Sequence, residues 1–337
     1  MSYITIDNIN SINAELSNYC NAACPMCSRF NFKLELRKDV TNNSHTSLDL
    51  IKDKIGLNIV KRLNRFYSCG TYGDGSMNPE CLEIYEHLRQ NNSTCQLELF
   101  TNGGARTPEF WAELAKLRVE VLFHIDGLED TNHLYRRNVK WDKLMANARA
   151  FIAAGGKAGW RMFSFKHNQH QSTEAEKLAK SMGFKHFHLD FTSRWKDYDY
   201  DGTFRDVDKI QVDDYYIEKP SMEKKLITVV EKINKKILPN EIVNDFATRK
   251  ISCVSCSNNK FEIYLLASGY VTPCCWIGDP KTHESQKLVD DYNKINLNKT
   301  SLDEILKGSF FRKLEQGING TNTDVRLNAC YHCCGVN

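Results

Sequence analysis

The chain has 337 residues, about twice the usual span of one domain, and its 41% hydrophobic and 26% charged residues give material for a real core. Forty-five basic and 42 acidic side chains leave a formal charge of +3, so no global field favours nucleic acid or an anionic membrane as a partner. No apolar run approaches the roughly 18 residues of a membrane span, and Met1 to Asn10 lacks the basic-then-apolar order of a signal peptide, so a reducing, cytoplasmic setting is expected.

Residues 12–17 read as a first strand, leading straight into Cys20, Cys24 and Cys27. A helix is predicted over 47–63 and a strand over 66–72. Asn78 as N-cap, with Pro79 at the first helical position, opens a helix reaching about Gln90. Residues 96–100 form a strand, Thr107 and Pro108 open another helix, and 119–125 is strand again. Trp141, Leu144, Met145, Ala148, Phe151 and Ile152 recur at helical spacing and stop at Gly155 and Gly156. Residues 161–165 follow as strand, Thr173 and Glu176 make a capping box, and 186–191 is a sixth strand. Strand alternating with helix specifies an α/β fold with a parallel sheet, a partial (β/α)6 barrel over residues 1–192. Chemistry on such a scaffold belongs at the C-terminal ends of its strands.

Residues 193–250 break this rhythm. They are aromatic and acidic, then carry an amphipathic helix near 222–237, and read as a solvated bridge with a substrate-covering segment as the alternative. Residues 251–337 form a separate, small α+β cysteine-rich domain. In it Ser301 and Glu304 cap a helix carrying Leu302, Ile305, Leu306, Phe310, Phe311 and Leu314.

Thirteen cysteines, an odd count well below the density of a disulfide scaffold, point to metal or catalysis in a reducing compartment. Cys20, Cys24 and Cys27 supply three thiolates where a structural site wants four. Either a cubane cluster with one open iron or a zinc completed by a distant histidine satisfies that spacing. Seven more cysteines, Cys253, Cys256, Cys274, Cys275, Cys330, Cys333 and Cys334, lie near the other end. Four thiolates drawn from them suit zinc or iron–sulfur equally. Cys69, Cys81 and Cys95 read as core thiols, with Cys69, near a strand end, the one to test as a hydrogen-atom donor.

Cys20-Asn-Ala-Ala-Cys24-Pro-Met-Cys27 resembles the defining motif of the radical S-adenosylmethionine superfamily. The resemblance implies a 4Fe–4S cluster on these three cysteines, whose open iron chelates S-adenosylmethionine, and Met26 near the adenine. Tyr72-Gly73-Asp74-Gly75, with Asn78-Pro79-Glu80, resembles the family's Gly-Gly-Glu-Pro segment, which implies Gly73 and Asp74 at the methionine amino group. Aspartate shortens that carboxylate by one methylene relative to the family's glutamate. Leu99 to Gly103 resembles the third-strand end and His124 to Gly127 the fourth, which implies cofactor contacts for Asn102, His124 and Asp126. Arg136 stands where relatives place the arginine for the cofactor carboxylate, and Asn168 where a ribose contact falls. The C-terminal pattern resembles the shortened SPASM module, the twitch domain, implying one auxiliary 4Fe–4S cluster on Cys256, Cys274, Cys330 and Cys333. A hairpin over 261–271 fits it as well.

These features imply an enzyme that cleaves S-adenosylmethionine to a 5′-deoxyadenosyl radical and abstracts hydrogen from a small polar substrate. The auxiliary cluster would assist an oxidation, as the resemblance to the short-module dehydrogenases implies. A peptide-modifying maturase is the alternative, although only 19 residues precede Cys20, too few for a fused leader-binding domain. A non-catalytic metal-bound scaffold or electron carrier is the competing class, and the glycine-rich Gly73 segment and Arg136 argue against it. The expected partners are a small molecule or peptide and a reducing donor such as flavodoxin or ferredoxin. Cys69 and Arg194 are the candidate catalytic side chains, with His167, His170 and segment 195–216 able to face substrate.

Overall fold

A computed structural model describes residues 4–40, 43–199, 202–221, 250–251, 261–281, 284–328, 330 and 334–336. The chain divides into two bodies, residues 13–220 with 266–268, and residues 1–12, 221–265 and 269–337.

In the first body, which takes Asn13 and Ala14 of β1 (Ser11–Ala14), that strand and β2 (Arg65–Ser68), β3 (Gln96–Thr101), β4 (Glu120–His124), β5 (Ala158–Phe163) and β6 (His186–Asp190) adjoin in chain order. Every pairing from β2 to β6 is parallel. The helices α1 (Leu57–Val60), α2 (Cys81–Asn91), α3 (Pro108–Lys116), α4 (Asn132–Tyr135), α5 (Trp141–Ala153) and α6 (Ser172–Met182) supply the crossovers of a partial barrel. One face of the sheet carries Phe66, Leu97, Leu99, Val121, Phe123, Trp160 and Met162, all buried. Phe123 meets Trp111 of α3 at 5.3 Å and Phe151 of α5 at 6.0 Å between ring centroids, so this is the helix-covered core.

The opposite face follows from the period of two. It bears Tyr67, Phe100, His124 and Phe163, one ring per strand from β2 to β5, with successive centroids 6.2, 6.0 and 6.4 Å apart. Two ion pairs flank this row, Arg65 with Glu98 (2.6 Å) and Arg161 with Asp190. A parallel strand buried on both faces is ordinarily a near-continuous apolar run. Polar alternation in β3, β5 and β6 therefore marks the face that handles something other than core.

Local departures from the sequence reading have physical causes. The helix expected over 47–63 is split, with a wide turn at Leu50–Ile55 and α1 after Gly56, whose φ of +82° ends the first segment. Asn78 makes the expected capping bond, its Oδ1 accepting the Glu80 N–H at 2.8 Å, though the regular helix begins two residues later than Pro79. Its amide donates to Leu16 O and Thr46 O at 2.7 Å, and the helix starts at Cys81. The capping box at Thr173 is absent, because α6 begins at Ser172 behind Gln171, whose side chain donates to Asp130. Residues 196–218 form two hairpins, β7 (Lys196–Tyr198) with β8 (Phe204–Asp206) and β9 (Lys209–Val212) with β10 (Tyr215–Glu218). These hairpins belong to the first body, bound through Tyr215 Oη to Leu134 O and Phe32 N–H to Asp199, at 2.7 and 2.8 Å. The helix expected near 222–237 lies outside the described residues.

The second body holds β11 (Lys250–Ile251), paired antiparallel with β14 (Gly335–Val336), and the expected hairpin, β12 (Glu262–Leu265) with β13 (Val271–Thr272). Gly269 turns that hairpin at φ +88°, and an added Cβ would stand 2.3 Å from the Asn298 amide. Ser301 and Glu304 form the capping box, but the helix breaks at Gly308 into α7 (Leu302–Leu306) and α8 (Ser309–Asn319). Among the described residues no helix is long and apolar enough to cross a membrane.

Candidate cofactor and cluster site

The loop after β1 carries Cys20, Cys24 and Cys27, and its own backbone shapes it: the Cys27 N–H donates to Cys24 O, and the Phe30 N–H to Cys27 O, both at 3.0 Å. Arg29 donates to Cys20 O and Ala22 O from beneath. Cys24 is buried and its neighbours are half-buried. Burial pushes the Cys20 thiol up, and Asp74, Cys24 and Cys27 push it further. Burial likewise raises Cys24 to about 11, with Arg136 pulling the other way. Two buried thiols that resist ionising on their own, with Cys27 beside them on the same loop, fit a cationic group whose charge holds thiolates.

Asp74 and Asp126 anchor the loop's surroundings. Asp74 is buried and accepts from Ser76 N and Oγ, Thr101 Oγ1, and Asn102 N and Nδ2, at 2.7–3.0 Å. The Asn102 amide nitrogen also faces Cys20 Sγ at 3.5 Å. Asp126, fully buried, accepts from Arg136 Nε and from the Phe163 N–H, each at 2.6 Å. Burial opposes the charge on both members of that pair, and each holds the other ionised, Asp126 raising Arg136. Arg136 Nη1 in turn faces Cys24 Sγ at 3.5 Å.

The remaining candidates spread along the same strand ends. His124 stands between Phe100 and Phe163 with its Nε2 buried and without a hydrogen-bond partner, and burial, then Arg136 and Arg161, hold the ring neutral. Asn168 commits its amide to Asp126 O, Phe163 O and the Phe165 N–H. Met26 is buried, and its carbonyl accepts from Arg194 at 2.9 Å, so Arg194 grips the cysteine loop. Gly73 packs against β1's extension so tightly that a Cβ would fall 2.0 Å from Ser17 O. Cys69 lies beside Asn13 Nδ2 and Thr71 Oγ1, both at 3.2 Å, and next to Glu15. Cys81 and Cys95 are buried thiols, raised by burial, Cys95 to about 11.

His167 stacks on Phe165 at 5.5 Å with both ring nitrogens buried and unpartnered, while His170 is exposed. Cys274, half-buried, and Cys330, buried, are described in the second body, whereas Cys253, Cys256 and Cys333 lie outside the described residues. Sequence reading missed Glu15, which accepts from the Thr71 N–H at 2.7 Å and the Tyr72 N–H at 3.2 Å, and Thr101. It also missed the Arg161–Asp190 pair. The signal was present: Arg161 and Asp190 fall out of phase with the apolar residues of β5 and β6.

A partial parallel barrel with a cysteine triad in the loop after its first strand is the architecture of a cluster-bearing enzyme. The radical SAM superfamily profile matches residues 14–170, and that of the iron–sulfur cluster-binding SPASM domain matches 256–334. The chain belongs to the radical SAM superfamily, with a SPASM domain at its C-terminal end. S-adenosylmethionine and a 4Fe–4S cluster are the cofactors of that superfamily, and the SPASM domain binds auxiliary iron–sulfur clusters.

Among solved structures the chain is similar to anSMEcpe with bound AdoMet and Cp18Cys peptide, at 13% identity and a TM-score of 0.55, covering 96% of this chain and 88% of that one. It is also similar to Streptococcus suis SuiB bound to precursor peptide SuiA, at 14% identity and a TM-score of 0.53, covering 89% and 66%. BtrN in complex with AdoMet and 2-DOIA gives 14% identity and a TM-score of 0.47 over 96% and 92%. The chain spans 61% of the length of SuiB in its S-adenosylmethionine complex. No curated protein sequence matches it.

Proposed function

We propose that this enzyme abstracts hydrogen from a small polar substrate and oxidises it with the help of the auxiliary cluster. The observation that carries this reading is the second face of the sheet, where a row of rings ends beside a half-open ion pair. Arg161 and Asp190 are 34% and 35% exposed, enough to be reached by a polar ligand. When bound, S-adenosylmethionine and the cluster supply a 5′-deoxyadenosyl radical as hydrogen acceptor. Cys20, Cys24 and Cys27 hold the cluster, and Arg194 fixes their loop through the Met26 carbonyl. Arg136 orients the methionine carboxylate, the Gly73–Asp74 turn receives the amino group, and Met26 lies by the adenine. His124, Asp126 and Asn168 shape the ribose side, the neutral imidazole offering Nε2 as a hydrogen-bonding atom. Asn102 links the amino-group turn to Cys20. Cys256, Cys274, Cys330 and Cys333 hold the auxiliary cluster.

The domain limits that go with this reading are 1–192 for the barrel, 193–250 for the connecting segment and 251–337 for the cluster-binding module. Flavodoxin or ferredoxin in the cytoplasm serves as reductant, and nucleic acid has no part. Peptide modification is the second reading, favoured by the fold likeness to SuiB and anSMEcpe, whose structures hold the peptides SuiA and Cp18Cys.

The test is direct. Anaerobically reconstituted protein, given dithionite and S-adenosylmethionine, is expected to release 5′-deoxyadenosine. Cys24→Ala should reduce this to background, and Cys95→Ala should retain it. Deuterium transfer into 5′-deoxyadenosine from labelled small polar compounds, set against labelled peptides, separates the two readings. Zinc at both ends with no cofactor cleavage would sink them together.

A further inference from the structure

We infer that Arg136 and Asn102 set the reduction potential of the cluster held by Cys20, Cys24 and Cys27. The structure repeats one device twice. A buried carboxylate grips a donor, and that donor also faces a cluster thiol. On one arm Asp126 holds Arg136 Nε at 2.6 Å while Nη1 stands 3.5 Å from Cys24 Sγ. On the other, Asp74 holds Asn102 Nδ2 at 2.7 Å while the same nitrogen stands 3.5 Å from Cys20 Sγ. The carboxylates come from the strand ends of β4 and β2, and neither donor is free to turn away.

The arms are unequal. The Asn102 nitrogen has two hydrogens for three acceptors, Asp74, Asn21 and Cys20, so its hold on sulfur is shared. Arg136 brings a full positive charge, with its side chain only 12% exposed and Asp126 wholly buried. One-electron reduction places more negative charge on the cluster and its sulfurs, and no bond is made or broken. A cation or N–H donor beside those sulfurs stabilises the reduced state and moves the potential upward. Low local dielectric enlarges that effect, and the Asp126 charge partly offsets it.

The signs are therefore fixed residue by residue. In dithionite titrations followed by electron paramagnetic resonance, with the triad's signal identified by its change on adding S-adenosylmethionine, Arg136→Gln should shift the midpoint to more negative values. Arg136→Lys, which keeps the charge, should stay close to the parent. Asp126→Asn should shift it the opposite way, and Asn102→Ala should give a smaller negative shift. A residue that only shaped the fold would not produce opposite signs from the two ends of one ion pair.

Unchanged midpoints in Arg136→Gln and Asp126→Asn, at full iron content, would overturn the inference. If either fails to take up iron, the other variant and Asn102→Ala decide it, since midpoints unchanged from the parent in both overturn the inference. The inference rests on the ligand assignment above, and that fails separately: the parent protein would show no signal responsive to S-adenosylmethionine. No substrate is needed.

Discussion

Asp74 shows how one side chain is shared between architecture and chemistry. The shortening from glutamate noted in the sequence finds its place in the structure, where the buried carboxylate collects donors from Ser76 in its own loop and from Thr101 and Asn102 at the end of β3. A buried charge with that many short hydrogen bonds is fully satisfied, and removing its charge leaves a donor facing donors. Asp74→Asn should lower the stability of the metal-free protein by roughly 2–4 kcal/mol, measured by urea unfolding, because the new amide confronts the Asn102 amide. The acid itself was legible as a glycine-turn residue. Its partners were not, since Thr101 and Asn102 lie 27 and 28 residues away on another strand. Cys95 and Cys81 give the converse case: their burial in the helix-covered core makes them inert thiols, as their apolar neighbours already implied.

At the level of elements, the second strand's exit decides whether the cysteine loop can sit down. Gly73 approaches Ser17 O so closely that any side chain meets backbone, which cannot move as a flexible side chain would. Gly73→Ala should cost about 3 kcal/mol or more and impair iron uptake on the triad, read as lost 5′-deoxyadenosine release and a lowered unfolding midpoint. Six successive strands and their helices were readable from alternating periodicity, because each segment's apolar rhythm is local. Their limits shifted where side chains took tertiary partners, as Asn78 and Gln171 did. The two hairpins after β6 were not readable at all. Their short strands have partly exposed faces, and their anchors, Tyr215 on Leu134 and Asp199 on Phe32, join residues 81 and 167 positions apart.

For the molecule as a whole, two clusters imply a simple stoichiometry. Reconstituted protein should carry about eight iron atoms, and Cys274→Ala with Cys330→Ala should reduce this to about four while the signal that responds to S-adenosylmethionine remains. Iron and sulfide analysis checks it. The sequence by itself determined the cysteine triad, the order of strands and helices, and the capping box at Ser301, since spacing, periodicity and caps are properties of short stretches. Only the tertiary structure decided which sheet face is polar, that Arg194 grips the cysteine loop, and that Arg136 reaches Cys24 across 112 residues. Those contacts arise when a parallel sheet brings distant strand ends together, and no local pattern encodes how far a guanidinium will stand from a sulfur.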